Sequence, residues 1–292
     1  MKQITLFWWI ILCLIGPTFA CTVIDDTGKT IHLSLPAKRI VSLAPDITEV
    51  LFSIEAKEAI VGVISGSDYP PAATNIIRIG SYTGIDLEKV VSLHPDLIVT
   101  WGQTFSRQLK ILQTMGVPVY TTLPHRLEDI AHTINNLGCL SGHTQDAKQV
   151  ADHFSYQLKQ IRAKYQTKKP LTVFYQIGSY SLITINKESW INEVITLCGG
   201  RNIFAEAHFI APEVNWESVV AASPDVIVSD AGNEEWTKRW AKWSIIPAVK
   251  NHFLFTLPPD LIERASPRIL LGTMQLCELL QKVRKPHSPS HD

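Results

Sequence analysis

The chain lacks an excess of charge of either sign. Its 27 Lys and Arg stand against 27 Asp and Glu, and charged residues make up only 18% of 292 positions. A nucleic-acid footprint needs a basic excess or stripe, so that class of partner is excluded. Beyond the N-terminus no window approaches the ~18 to 20 apolar residues of a membrane-spanning helix. Motifs that carry chemistry are missing as well: there is no G-x-S-x-G elbow, no P-loop and no G-x-G-x-x-G fingerprint, so no catalytic residue is nominated. No CxxC or HExxH occurs and the histidines are scattered, which leaves no metal site to expect. Cysteine is scarce, with five in all.

What is present begins with an export signal. Lys2 supplies positive charge, residues 4–15 form an apolar run, Gly16 and Pro17 break it, and Thr18 and Ala20 are the small residues before a cut after Ala20. Cys21 follows directly and raises lipid anchoring, but Thr18 and Phe19 both depart from a lipobox, so a periplasmic protein without an anchor is expected. Cys13 leaves with the signal. The remaining Cys21, Cys139, Cys198 and Cys277 enter a compartment where disulfides persist, and spacing alone does not choose among the three pairings.

Residues 144–169 hold the clearest helix. Ala147, Val150, Ala151, Phe154, Leu158, Ile161 and Tyr165 make one apolar stripe, Thr144 suits the N-cap and Pro170 stops the run. About 24 residues at ~1.5 Å each give a rod of roughly 36 Å. The sequence before this rod resembles the sequence after it. Glu88, Val90-Val91, Pro95-Asp96 and Ile98-Val99 recur at the same offsets as Glu217, Val219-Val220, Pro224-Asp225 and Ile227-Val228. Two lobes of similar build follow, residues 21–143 and 170–284, with the rod between them and a polar tail at 285–292. Strands alternate with helices in each, so the fold class is α/β with mainly parallel sheets. Residues 22–35 read as an N-terminal hairpin, Asp46 with Glu49 as a capping box, and Ser266 with Pro267 as the start of the last helix.

Ligands of open parallel sheets bind beyond the carboxyl ends of the strands. The loops there carry Tyr69, Tyr82 and Trp101 in the first lobe and His208, Phe209, Asp260 and Arg264 in the second. Aromatic rings with few polar groups suit a large, flat, partly apolar ligand held between lobes. Glu263 beside Arg264 reads equally as a surface ion pair. Glu88 and Glu217 fall in the first turns of equivalent helices, where a carboxylate also favours the helix dipole.

Five blocks carry a resemblance: Arg39 to Pro45 (RIVSLAP), Ser67 to Pro71 (SDYPP), Leu87 to Trp101, Cys198 to Phe204 (CGGRNIF) and Glu263 to Arg268 (ERASPR). Together they resemble the vitamin B12-binding proteins of bacterial cobalamin ABC importers, from about Arg39 to Val283. The resemblance implies a non-enzymatic, monomeric periplasmic protein that takes up cobalamin or a related corrinoid as cargo, needs no cofactor, and delivers it to a membrane permease. It puts Tyr69, Trp101, Asp260 and Arg264 at ligand-contacting positions. Tyr82 stands where better-known members have Trp, and Ala211 and Leu261 replace two further rings. It also implies that Glu88 and Glu217 dock on permease arginines and that Cys198 pairs with Cys277, leaving Cys21 and Cys139 as free thiols or at most a second pair. Haem or a ferric siderophore is the alternative cargo for the same fold, and a secreted hydrolase is the alternative from another class.

Overall fold

The computed structural model describes residues 20–284 except 168 and 234; the signal segment at 1–19 and the tail at 285–292 lie outside the described residues. An antiparallel hairpin of β1 (Cys21–Ile24) and β2 (Thr30–Leu33) opens the chain, as its alternating pattern predicts. The first lobe continues through β3 (Ile40–Ser42), α1 (Pro45–Ser53), β4 (Ile60–Val63), the small hairpin β5 (Gly80–Ser81) and β6 (Gly84–Ile85), α2 (Leu87–Ser92), β7 (Leu97–Trp101), α3 (Ser106–Thr114), β8 (Val119–Thr122) and α4 (Leu127–Ser141). Then comes α5 (Thr144–Tyr165). The second lobe contains β9 (Leu171–Gln176), α6 (Trp190–Leu197), β10 (Gly200–Asn202), α7 (Trp216–Ala222), β11 (Val226–Ser229), α8 (Glu235–Trp240), α9 (Pro247–Lys250), β12 (Leu254–Thr256), α10 (Pro259–Ile262) and α11 (Ile269–Arg284).

The two main sheets have the same topology. Their orders are β4-β3-β7-β8 and β10-β9-β11-β12, with every pair parallel. In each, the lobe's first strand lies between its second and third. Helices cover both faces, so β3, β11 and most of β7 are buried throughout, which is why they read as continuous apolar runs rather than alternating ones. The repeated Pro-Asp has a structural purpose. Asp96 accepts from the backbone N–H of Lys38 (2.7 Å) and Arg39 (2.9 Å), just before β3. Asp225 accepts from the N–H (2.8 Å) and Oγ1 (2.7 Å) of Thr172 in β9. Each aspartate thus ties the start of the lobe's third strand to the start of its first.

The interlobe helix is shorter than the 144–169 read from sequence. It ends at Tyr165, with Gln166 as C-cap, and Thr144 is its first helical residue after the N-cap His143. Its stripe is buried at Ala147, Ala151, Phe154, Leu158, Ile161 and Tyr165, as the spacing requires. Gly142 at φ 81° turns the chain between α4 and α5. The two helices then approach so closely that a Cβ on Gly138 would lie 2.1 Å from that of Ala147. Towards its end, Arg162 pairs with Glu128 of α4 (2.9 Å) and Glu193 of α6 (2.8 Å), so one guanidinium joins both lobes. The capping box read at Asp46 and Glu49 is not formed: α1 starts at Pro45, Ala44 is its N-cap and no side chain caps it. The last helix, α11, starts at Ile269 rather than Pro267; Ser266 Oγ still accepts from the N–H of Arg268 at 3.3 Å, and both residues also reach Glu49 of the other lobe.

Cys198 is bonded to Cys277, joining α6 to α11. Cys21 and Cys139 are not free thiols; they form the second pair and pin the hairpin to α4. The closed loops span 118 and 79 positions, for which chain-entropy reasoning gives about 4 to 5 kcal/mol each. Peptide mapping under non-reducing conditions should recover both pairs, and reduction should lower the Tm. A peptide joining Cys198 to Cys21 or Cys139 would contradict the pairing.

Candidate functional site

The carboxyl ends of both parallel sheets open on one cavity of about 570 Å³ between the lobes. From β3 the chain passes through Leu43 and Ala44 into Pro45 and Asp46 of α1, all four on the cavity wall. Strand β7 delivers Trp101 at its last position. A turn with Gly102 at φ 53° and Phe105 at φ 61° then folds Thr104 and Phe105 back onto the same wall. Tyr82, at the tip of the β5–β6 hairpin, is 82% exposed and completes the aromatic side. The second lobe answers with Ile177 after β9, Ile185, Trp190 and Ile191 around the start of α6, and Ile210 with Ala211. Trp190 is held in place by its indole N–H, which donates to the carbonyl of Ile262 at 3.0 Å. The wall is therefore largely apolar and ringed, and it offers a flat molecule faces to lie against.

Two carboxyl groups interrupt this surface. Burial is the largest influence on Asp46 and raises it to about 6, although backbone N–H groups of Asp46 and Ile47 at the helix start pull it down. Glu263 is pushed up to about 8, first by burial and then by Asp230, to which it hydrogen-bonds. Asp230 is itself buried and accepts from Tyr175 Oη at 2.7 Å and from the N–H of Gly178 at 2.6 Å. At neutral pH Asp46 is mostly ionised and Glu263 mostly holds its proton. The surface ion pair read between Glu263 and Arg264 is not what forms: Glu263 turns to Asp230 and Arg264 turns away.

Beside the cavity stands a polar cluster that spans the lobes. Glu49 of α1, with its side chain 2% exposed, accepts from Arg264 Nη1 (2.8 Å), Arg268 Nη1 (2.8 Å) and Ser266 Oγ (2.5 Å). Arg264 also pairs with Asp68 (2.9 Å) and Asp260 (2.8 Å) and donates to the Gly66 carbonyl (3.1 Å). The Arg268 guanidinium lies 3.6 Å from the ring centre of Tyr69.

The residues singled out in the sequence thus divide. Tyr82 and Trp101 line the cavity. Phe209 lies next to it, 70% exposed, with its neighbours Ile210 and Ala211 on the wall. Tyr69, Asp260 and Arg264 come together in the interlobe cluster rather than on the cavity wall. Sequence reasoning missed Asp46, Phe105, Trp190 and Glu263, all of which line the cavity. From sequence Asp46 reads as a cap, and Trp190 belongs to no recognisable motif. Ser189 before it, which caps α6, was the available signal that the ring stands at a helix entrance facing the strand ends.

Glu88 and Glu217 occupy matching first-turn positions of α2 and α7, both exposed, after the side-chain caps Asp86 and Asn215. Among the described residues no group of His, Cys, Asp and Glu is arranged to hold a metal ion, and no helix is long and apolar enough to cross a membrane.

Comparison with known proteins agrees with this geometry. The sequence profile of the periplasmic binding protein family matches residues 40–261. The vitamin B12-binding protein of Vibrio parahaemolyticus is 32% identical over 86% of this chain and 92% of its own. That of Yersinia pestis is 33% identical over 89% and 93%. Among solved structures, the periplasmic vitamin B12 binding protein of Vibrio cholerae superposes with a TM-score of 0.79 at 33% identity, over 86% of this chain and 99% of that one. A periplasmic heme-binding protein of Roseiflexus gives 0.75 at 25% identity, over 85% and 99%. With a family profile and relatives that cover most of its length, the chain belongs to the periplasmic binding protein family.

Proposed function

We propose that this chain is the substrate-binding component of an ABC importer for vitamin B12 or a related corrinoid. The cargo is captured between the lobes, undergoes no chemistry there and is handed to a membrane permease. The observation that carries this reading is the apolar, ring-lined interlobe cavity in a chain whose curated relatives at 32–33% identity are named vitamin B12-binding proteins. Haem is the second reading, favoured by the match to a heme-binding protein at 25% identity. Calorimetric titration against cyanocobalamin, haem and a siderophore panel decides between them; the corrinoid reading fails if cyanocobalamin gives no saturable binding.

Export fits a cut after Ala20. The protein is then periplasmic and monomeric, and a Cys21 sulfur bonded to Cys139 is not available for a lipid thioether. Lobes 21–143 and 170–284 each contribute one wall of the cleft. Tyr82, Trp101 and Trp190 are the rings against which the corrin lies, with Phe209 and Phe105 at the margins. Tyr69, Asp260 and Arg264 hold the cleft's shape from its side. Glu88 and Glu217 present one acidic knob per lobe to arginines of the permease.

Three predictions test these roles. Trp101→Ala and Trp190→Ala should each weaken corrinoid binding by about 2 kcal/mol or more, Trp101→Ala with little change in Tm and Trp190→Ala with a lower Tm, since its ring packs on the core and bonds to Ile262. Arg264→Ala should lower both affinity and Tm, because it leaves the buried Glu49 short of a partner. Unchanged affinity in both Trp variants would remove them from the site. Separately, the double variant Glu88→Ala with Glu217→Ala should keep corrinoid affinity while permease association falls and loses its salt dependence. Transport at the parental rate in reconstituted vesicles would leave the helix dipole as the whole explanation of these glutamates.

A further inference from the structure

Among the described lining residues, the side chains that can carry a full charge near neutral pH are carboxyls alone. Asp46 comes from the first turn of α1 and Glu263 directly follows α10, so each lobe contributes one carboxyl group. No Lys, Arg or His is among the described residues that line it. Asp46 is not the N-cap of α1, and its carboxyl, although approached by the N–H groups of Asp46 and Ile47 at the helix start, still faces the cavity. The guanidinium of Arg264 acts on both carboxyls from beside the cavity, but it is already shared by Glu49, Asp68 and Asp260. Behind Glu263 lies a further buried carboxyl, Asp230.

Chemistry that enters this space meets an asymmetric reception. A carboxylate on the ligand's edge would lose its water against Asp46 and find no free cation to replace it. An amide on the same edge donates its N–H to the Asp46 carboxylate, and its carbonyl tolerates a Glu263 that keeps its proton. Haem has two propionate carboxylates, whereas the corrin ring of cobalamin is bordered by amides. Shape and ring stacking alone do not separate these two flat macrocycles.

We propose that Asp46 and Glu263 form a charge filter across the cleft, which admits macrocycles with a neutral, amide-bearing edge and turns away those edged with carboxylates. The filter rests on the corrinoid reading for its natural cargo, but its physics does not. It gives this apolar cavity a selectivity that its rings cannot supply.

Four probes test it by titration at pH 7.5: cyanocobalamin, a cyanocobalamin monocarboxylic acid with one peripheral amide hydrolysed, haem, and haem dimethyl ester. The parent should bind the monocarboxylic acid at least about tenfold more weakly than cyanocobalamin, and haem more weakly than its ester. In Asp46→Asn with Glu263→Gln both ratios should shrink towards one. Asp46→Asn alone is run alongside, so that a folding defect in the double variant leaves a second reading of the same ratios. Equal binding of acid and amide by the parent, or ratios that survive both variants, would overturn the filter. If the parent binds neither corrinoid, the proposed function fails, while the haem and ester pair still reads the filter. Failure of all four probes to bind would remove both.

Discussion

A carboxylate that belongs to one lobe and is satisfied by the other holds this molecule's cleft in place. Glu49 sits in α1 of the first lobe, yet its donors Arg264, Ser266 and Arg268 all come from the second. Burying such a charge costs several kcal/mol unless hydrogen bonds replace its water. Three donors at 2.5–2.8 Å do so here, and only when the lobes are in this relation. Removal of one partner typically costs about 3 to 5 kcal/mol, so the cluster resists separation far more than a surface ion pair does. Arg162 of α5 adds a second tie through Glu128 and Glu193, and Glu193 also accepts from the N–H of Leu127 at 2.8 Å. One rigid helix and two polar ties therefore set the width of the cavity before any cargo arrives.

That constraint shapes how the protein does its work. A fixed relation between the lobes holds the exposed, matched glutamates of α2 and α7 at one separation. It also puts the burden of recognition on the walls. Ile177, Ile185, Ile191, Ile210 and Ala211 leave the second lobe's side largely aliphatic, with Trp190 as its one aromatic among the described lining residues. Trp190 faces the same cavity as Trp101 and Tyr82 of the first lobe, so a flat ligand has a ring to meet from each lobe.

The fold was readable because its signals are local or repeated. Continuous apolar runs marked the buried parallel strands, a single stripe marked α5, and the duplicated Pro-Asp marked two lobes whose sheets share one strand order. The site was less readable, and the reason is distance along the chain. Glu49 lies 215 positions from Arg264, so a sequence reading assigned it to the nearest plausible partner, Asp46, as a capping box. The same blindness paired Glu263 with adjacent Arg264, although its real partner is Asp230. Arg264 and Tyr69 were recognisable as important from the blocks they stand in, but the blocks do not say whether a residue touches cargo or braces the residues that do. Cys21 and Cys139 were left open for a related reason, since spacing carries no information on which thiols meet.

The cleft's preset width is most directly tested by distance measurement between the lobes. Spin labels at Ser92→Cys and Ala221→Cys, equivalent exposed positions at the ends of α2 and α7, report the separation by double electron–electron resonance. With both native disulfides intact, the parent should give one narrow distribution that moves by no more than a few ångströms when cyanocobalamin is added. Glu49→Gln should broaden it. Two populations in the free parent, or a ligand-induced shift far beyond the width of the labels, would contradict a cleft held open at a fixed width by the Glu49 cluster.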